Sequence, residues 1–368
     1  MNRGLRCAVV LSAAAGLAGC DTLASLGYYQ QSVAGHLGIV WRAKPVAEWI
    51  AAADTAPALR ERLHLAQRIR DFAVSELHLP DNGSYRRYAA LDRPAAVWNV
   101  VAAPELSLAL QTWCFPVVGC VGYRGYYERA DADALAATLR AQGLEVLVYG
   151  VPAYSTLGMT EWLGGDPLLS TFIGWPEGEL ARLVFHELAH QVAYAADDTV
   201  FNESFATAVE RIGVRQWLAQ QAGDEARRAY ADFDARRQDF RALTLAVRQD
   251  LAAIYADPAL DDVTRRAAKA ERLARMHAEL ATLKAGRWGG FSGYDGWFQR
   301  ANNAAFGIQA AYDRWVPAFE QLYRREGRDL PRFYAAVQRL AGLPRAERDA
   351  TLTTLAGRDL PAAALAGD

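Results

Sequence analysis

Three side chains within five residues set the chemistry expected of this chain: His186, Glu187 and His190, in the order H-E-x-x-H. On an α-helix, positions i and i+4 lie one turn apart on the same face, so both imidazoles reach one ion. Zinc takes imidazole nitrogens at about 2.0–2.1 Å and, in catalytic sites, three protein ligands and a water. Glu187 is placed to reach that water rather than the ion. The expected chemistry is hydrolysis with one bound Zn2+ ion. The ion polarises the water, Glu187 accepts its proton during attack on the substrate, and the same carboxyl returns it to the leaving group. With six His in 368 residues, the pattern arises by chance in about one such chain in a few hundred. Its immediate flanks, Leu183 and Val184 before and Gln191 and Val192 after, carry no charge and no proline, as a buried metal helix requires. The alternative is two core histidines beside an incidental Glu.

The pair leaves a catalytic zinc one protein ligand short. Glu203, in FNESFATAVE, is the candidate, because a second helix packed antiparallel to the first presents a carboxylate to the open side of the ion. Asp197 and Asp198 compete, but they lie about two turns beyond His190 along the axis. His277 is more distant still. Glu210, seven residues after Glu203, shares its helix face. It can orient a ligand imidazole through the ring's free N–H, though a surface carboxylate fits the position equally. Asn202 reads as the N-cap of the second helix.

These residues need elements to hold them, and the expected fold is α+β and predominantly helical. Pro176 opens the active-site helix, with Glu177 and Glu179 in its first turn, and the helix is expected to run to about Ala196. Residues 56–79 read as an amphipathic helix stopped by Pro80-Asp81-Asn82-Gly83. SYRRYAAL, AAVWNVVAA, LALQTWCFPVV and LEVLVYG, with the helical stretch DADALAATLRAQG before the last, predict a small N-terminal sheet. Residues 151–175 form a loop-rich approach. From 203 onward the chain reads as almost wholly helical, with a long helical hairpin over 222–285 broken at Asp257-Pro258. Its charge-rich surface reads as a solvated face. Further amphipathic helices follow at 301–324 and 329–341.

Arg3 and Arg6, followed by CAVVLSAAAGLA, form a secretory signal too short to span a membrane. Leu17-Ala18-Gly19-Cys20 resembles the bacterial lipoprotein box. The resemblance implies cleavage before Cys20, lipid on its thiol and new amino terminus, and stable anchoring. Asp21 after it implies retention at the inner membrane, with the body in the periplasm. The expected organisation is a removed signal at 1–19 and a lipidated Cys with a tether, running into an early helix, at 20–55. An α+β part at 56–175 and a helical part at 176–368 follow. The tether carries Tyr28, Tyr29, Trp41 and Trp49 as aromatic surface. Cys114 and Cys120 remain, and in an oxidising compartment they are expected to form a disulfide. With a net charge of -2 and no basic stripe, nucleic acid is not an expected partner.

FNESFA resembles the glutamate helix of the gluzincins, the zinc peptidase clan with N-E-x-x-A/S, and its aminopeptidase form matches at Asn202, Glu203, Phe205, Ala206 and Glu210. Twelve residues separate His190 from Glu203, a shorter link than the large aminopeptidases have. CFPVVGCVGYRGYY, VPAYSTLG, DPLLSTF, FHELAHQ, FNESFAT and NNAAFGIQAAYDRWVPAFEQL together resemble a bacterial family of predicted zinc aminopeptidases, many of them lipoproteins. The resemblance implies a zincin-like fold and a peptide substrate laid along an edge strand at Ala153, Tyr154 and Ser155. It also implies a phenol that steadies the tetrahedral intermediate, for which Tyr312 or Tyr294 is the candidate. Asn302 and Asn303 are candidates to contact substrate, and Glu161 or Asp166 to hold its free ammonium. Exopeptidase and endopeptidase both stay open, as does a non-enzymatic envelope lipoprotein on a zincin body.

Overall fold

The computed structural model of the chain describes residues 27–115, 119–153, 164–309 and 314–357. The signal, Cys20, Tyr154, Ser155, Glu161 and Tyr312 lie outside the described residues. Helix α1 spans 27–42, followed by β1 (Lys44–Pro45), α2 (Val46–Ala51) and α3 (Pro57–Ser75). Most of the expected tether is therefore folded. Ile39, Ala43 and Val46 are buried in the main core, and β1 pairs with a later strand.

The expected single sheet is three small ones. β2 (Arg87–Ala89) lies between β1 and β8 (Leu168–Leu169), antiparallel to the first and parallel to the second. β3 (Val97–Pro104) is the centre of a second, antiparallel sheet, flanked by β6 (Arg124–Tyr126) and β7 (Leu144–Val151). β4 (Trp113–Phe115) and β5 (Gly119–Val121) form a separate hairpin, closed by a disulfide between Cys114 and Cys120. Among the described residues of LALQTWCFPVV, Trp113–Phe115 alone is strand. Side chains alternate across the β3 sheet. Val100, Ala102, Val146 and Val148 meet α4 (Arg129–Ala141) on one face, and Val101, Ala103 and Leu147 meet α10 (Asn303–Gln309) on the other.

The helical part packs onto these sheets through one continuous core. α5 (Glu177–Ala189) and α6 (Thr199–Gln220) form its central antiparallel pair, with α11 (Val316–Arg325), α12 (Leu330–Ala341) and α13 (Arg345–Ala356) against α6. Core residues run from Ile39 to Leu355, so the core crosses the boundary expected at residue 176. α7 (Asp224–Ala256) and α8 (Asp262–Ala285) form the long hairpin. Trp288, Phe291 and Phe298, with α9 (Asp295–Gln299), cap its open end in an aromatic cluster. Arg272, Asp250 and Glu279 pair along its length.

Candidate metal centre

Local sequence explains why α5 forms and where it stops. Pro176 at the N-cap fixes φ at -49°, and Glu177 and Glu179 place negative charge at the helix's positive end. Leu180, Ala181, Val184 and Leu188 are fully buried on its core face. The helix ends at Ala189, seven residues earlier than expected, with His190 at its C-cap. Asn82 donates to Gln191 Oε1 (2.6 Å), and Gln191 Nε2 donates to Ser84 Oγ (3.1 Å), so the turn before β2 pins the residue after the second histidine.

The early stop is what makes the short link work. Asp198, not Asn202, caps α6, accepting from the Phe201 N–H at 3.0 Å. Asn202 instead clamps the loop: its Oδ1 accepts from the Ala195 N–H and its Nδ2 donates to the Ala195 carbonyl, both at 2.8 Å. Asp197 adopts a left-handed backbone (φ 60°) and accepts from the Cys120 N–H at 2.7 Å, so the disulfide hairpin sits on this loop. Gly119 has no room for a side chain, because a Cβ would lie 2.1 Å from Asp197 Oδ1. Arg348 of α13 holds the other oxygen of Asp198 through two N–H bonds of 2.9 and 2.7 Å. Both competing aspartates are thus committed elsewhere, and His277 is exposed on α8.

Antiparallel packing then sets the register. Trp217 donates to Glu177, His186 meets Glu210 and Glu203, and His190 meets Glu203. The helices approach closely where Gly213 faces Phe185, with no space for a Cβ. His186 Nε2 and His190 Nε2 lie 3.2 and 3.7 Å from Glu203 Oε2, and the ligand atoms of all three residues fall within 4.8 Å of one another. Two atoms each about 2.05 Å from a tetrahedral ion are about 3.3 Å apart. The two histidine distances to Glu203 are close to that spacing, so the triad can close on a metal ion of that size.

Behind His186 runs a buried chain of charge. Its Nδ1 faces Glu210 Oε2 at 2.9 Å, so a neutral, metal-binding ring would keep its proton on Nδ1 and turn the Nε2 lone pair toward the triad. Arg182 donates to the other Glu210 oxygen at 3.0 Å and lies 3.5 Å from Glu179. Glu179 in turn accepts from Arg237 of α7, which also holds Asp234 at 2.9 Å. Glu210, Glu179 and Arg237 are all buried. The hairpin helix α7 is thereby wired to a ligand imidazole. Sequence reasoning missed Arg182, although it sits one turn before His186 in an otherwise uncharged stretch.

The site's electrostatics follow from burial and these partners. Burial would lower the His186 imidazole, but hydrogen bonds to Glu203 and Glu210 outweigh it and push the ring up to about 10. Burial lowers His190 to about 4, and its Nδ1 has no partner among the described residues. Burial, opposed by His186 and helped by Glu203 and Asp166, raises Glu187 to about 7. Burial would also raise Glu210, yet Arg182 and His186 hold it down at about 2. Three tyrosines that sequence reasoning missed surround Glu203. Burial and its carboxylate raise Tyr123, Tyr149 (to about 12) and Tyr194, so each phenol keeps its proton. Tyr123 also senses Glu187. Tyr149 could be read from strand alternation, being on the Leu147 face of β7; Tyr123 carries no such signal.

Other expected site residues are placed differently. Ala153 is buried in the main core, not on a strand edge. Tyr294 stacks on Phe240 at 4.4 Å inside the aromatic cluster. Asn302 caps α10 and donates to the Val146 carbonyl, and Asn303 is fully buried, donating to the carbonyls of Pro104 and Glu105. Both asparagines hold the sheet. Asp166 is buried, and it is near enough to Glu187 to affect its charge.

Fold and site together define a predominantly helical α+β protein with a His-His-Glu triad able to hold a metal ion. The model of the family described as "Putative aminopeptidase" matches residues 27–352, and the chain belongs to that family. We find no match among curated proteins or among solved structures.

Proposed function

We propose that this protein is a zinc-dependent peptidase, an aminopeptidase acting on peptides at the periplasmic face of the membrane. The observation that carries the reading is the triad, three ligand atoms within 4.8 Å, with the Glu187 carboxyl beside it. A zinc ion held there supplies a Lewis acid for the peptide carbonyl and an acidified water. Glu187 is the base, its carboxyl raised to about 7, so it takes a proton at neutral pH and yields it to the departing amine. Glu210 fixes the tautomer of His186. Tyr123, whose phenol feels both Glu203 and Glu187, is the proposed donor to the developing oxyanion.

The substrate backbone pairs with the outer edge of β7, which has no strand partner among the described residues. Along an antiparallel strand, alternate residues direct N–H and C=O to the same side. Asn302 takes the Val146 carbonyl on that side, leaving Val148 and Gly150 for a peptide. Asp166 is the described carboxylate offered to the substrate's ammonium. The family description favours the aminopeptidase form. Location at the envelope rests on the lipoprotein-box resemblance at Cys20.

The test is zinc content and cleavage of the same peptides with free and acetylated amino termini. Wild type should carry one zinc and cut only the free peptides. Glu187→Gln should keep zinc and lose cleavage, while Glu203→Ala should lose zinc. Cleavage by Glu187→Gln, or zinc unchanged in Glu203→Ala, would sink the proposal. Equal cleavage of blocked peptides would make the enzyme an endopeptidase.

A further inference from the structure

Among the described residues, five large apolar side chains stand exposed, and three of them share one helix. Tyr29, Val33 and Trp41 of α1 are 41, 60 and 77% exposed, while Leu245 and Val263 lie apart on α7 and α8. Tyr29, Val33, Leu37 and Trp41 follow one another at four-residue steps, so they form a single stripe along the helix. From residue 27 to 41 the chain contains no Asp, Glu, Lys or Arg. A surface helix exposed to water on such a face is unusual, because solvated faces are normally charged.

The opposite face is well seated. Gln31 reaches the Gly125 carbonyl and the Tyr127 N–H, Gly35 lies against the Tyr127 ring, and Ile39 is buried. The outer stripe is therefore not a product of loose docking. At the end of the helix Arg42 pairs with exposed Asp92 at 3.2 Å, and Lys44 lies over the Trp49 ring.

We propose that the outer face of α1 rests in the interfacial layer of a lipid bilayer, orienting the domain on the membrane. The inference rests on the anchoring proposed at Cys20. α1 begins seven residues after that position, so it starts within roughly 25 Å of an acylated residue even with the chain fully extended. Tyr and Trp at the two ends of the stripe suit the headgroup region, and Val33 and Leu37 between them suit the acyl boundary. The anchor supplies attachment; α1 removes the freedom of the domain to tumble about it.

The full chain, made in cells that acylate it, is reconstituted into phosphatidylethanolamine–phosphatidylglycerol vesicles. Spin labels are placed singly through Val33→Cys, Trp41→Cys, Leu245→Cys and Val263→Cys. Cys114 and Cys120 are bonded to each other and Cys20 carries the acyl chain, so each introduced thiol is free to react alone. Labels at 33 and 41 should meet dissolved oxygen, with access to an aqueous nickel chelate several-fold lower than at 245 and 263. Equal nickel access at all four sites overturns the proposal while leaving the anchor intact. Shielding of 33 and 41 from both reagents overturns it in favour of a protein partner. Failure to float with vesicles, with no acyl mass on the amino-terminal peptide, removes the anchor and this proposal together.

Discussion

His186 Nδ1 and Glu210 Oε2 lie 2.9 Å apart, joining a triad residue on α5 to a carboxylate on α6 that itself faces Arg182. This pair fixes which nitrogen of His186 points at the triad. Outer partners of this kind typically change metal affinity by about 10–100-fold. Glu210→Gln should weaken zinc binding by that order in a chelator competition. It should also lower the melting temperature, since Arg182 loses the nearer of its two carboxylate partners. Unchanged affinity would show that the bond does not orient the ligand.

Proton release reports the same pair. In the metal-free protein His186, raised to about 10 from its usual 6.5, carries a proton at pH 7, whereas His190, at about 4, does not. Metal binding at pH 7 should therefore release about one proton from His186. Calorimetry in buffers of different ionisation enthalpy measures it, and affinity should rise with pH up to about 10. The linkage to stability runs the opposite way for this ring. Its raised value stabilises the metal-free fold fully below 6.5, and that contribution is lost as pH climbs through 10. Glu210, lowered to about 2 from 4.5, stabilises above 4.5 and loses its contribution as pH falls through 2. The metal-free protein should thus melt highest between these windows.

Asn202→Ala removes both bonds to Ala195, leaving its buried N–H unpaired and its carbonyl with only the Asp198 N–H at 3.4 Å. The expected cost is about 1–3 kcal/mol of stability. Because the loop carries His190 to Glu203, zinc affinity should fall along with the melting temperature. Asn202→Asp should restore only the acceptor bond. A variant with wild-type melting and zinc affinity would exclude the clamp.

Arg237→Met tests the link from the hairpin. It leaves the buried Glu179 carboxylate with Arg182 alone, at 3.5 Å, and breaking such a buried pair costs up to about 3–5 kcal/mol. The double variant Arg237→Met, Glu179→Leu should recover most of that loss in denaturant unfolding. No recovery would mean Arg237 acts by packing on Tyr230 and Phe233 rather than by charge.

Tyr123→Phe should lower kcat by about 10²-fold with KM little changed, as expected for a donor used only in the transition state. Tyr149→Phe, whose hydroxyl already meets Asn99, should affect kcat less. The reverse order would move the donor role to Tyr149.

The two-histidine pattern, the opening of α5 at Pro176 and the hairpin break at Asp257-Pro258 were legible in the sequence. Each depends on residues within a turn or two of one another, where helix period and capping chemistry act directly. The family resemblance lay in the same local stretches. Tertiary structure decided the rest. Glu203 meets His186 across 17 residues, Glu210 across 24, and Asp198 is held by Arg348 across 150. No local period specifies such distances; they follow from how α5, α6 and α13 bury their apolar faces. For the same reason Asn202 became a clamp instead of a cap, and Ala153 a core residue instead of an edge. Types and spacing in the sequence set the chemistry that can occur here. Packing determines which carboxylates and phenols surround it.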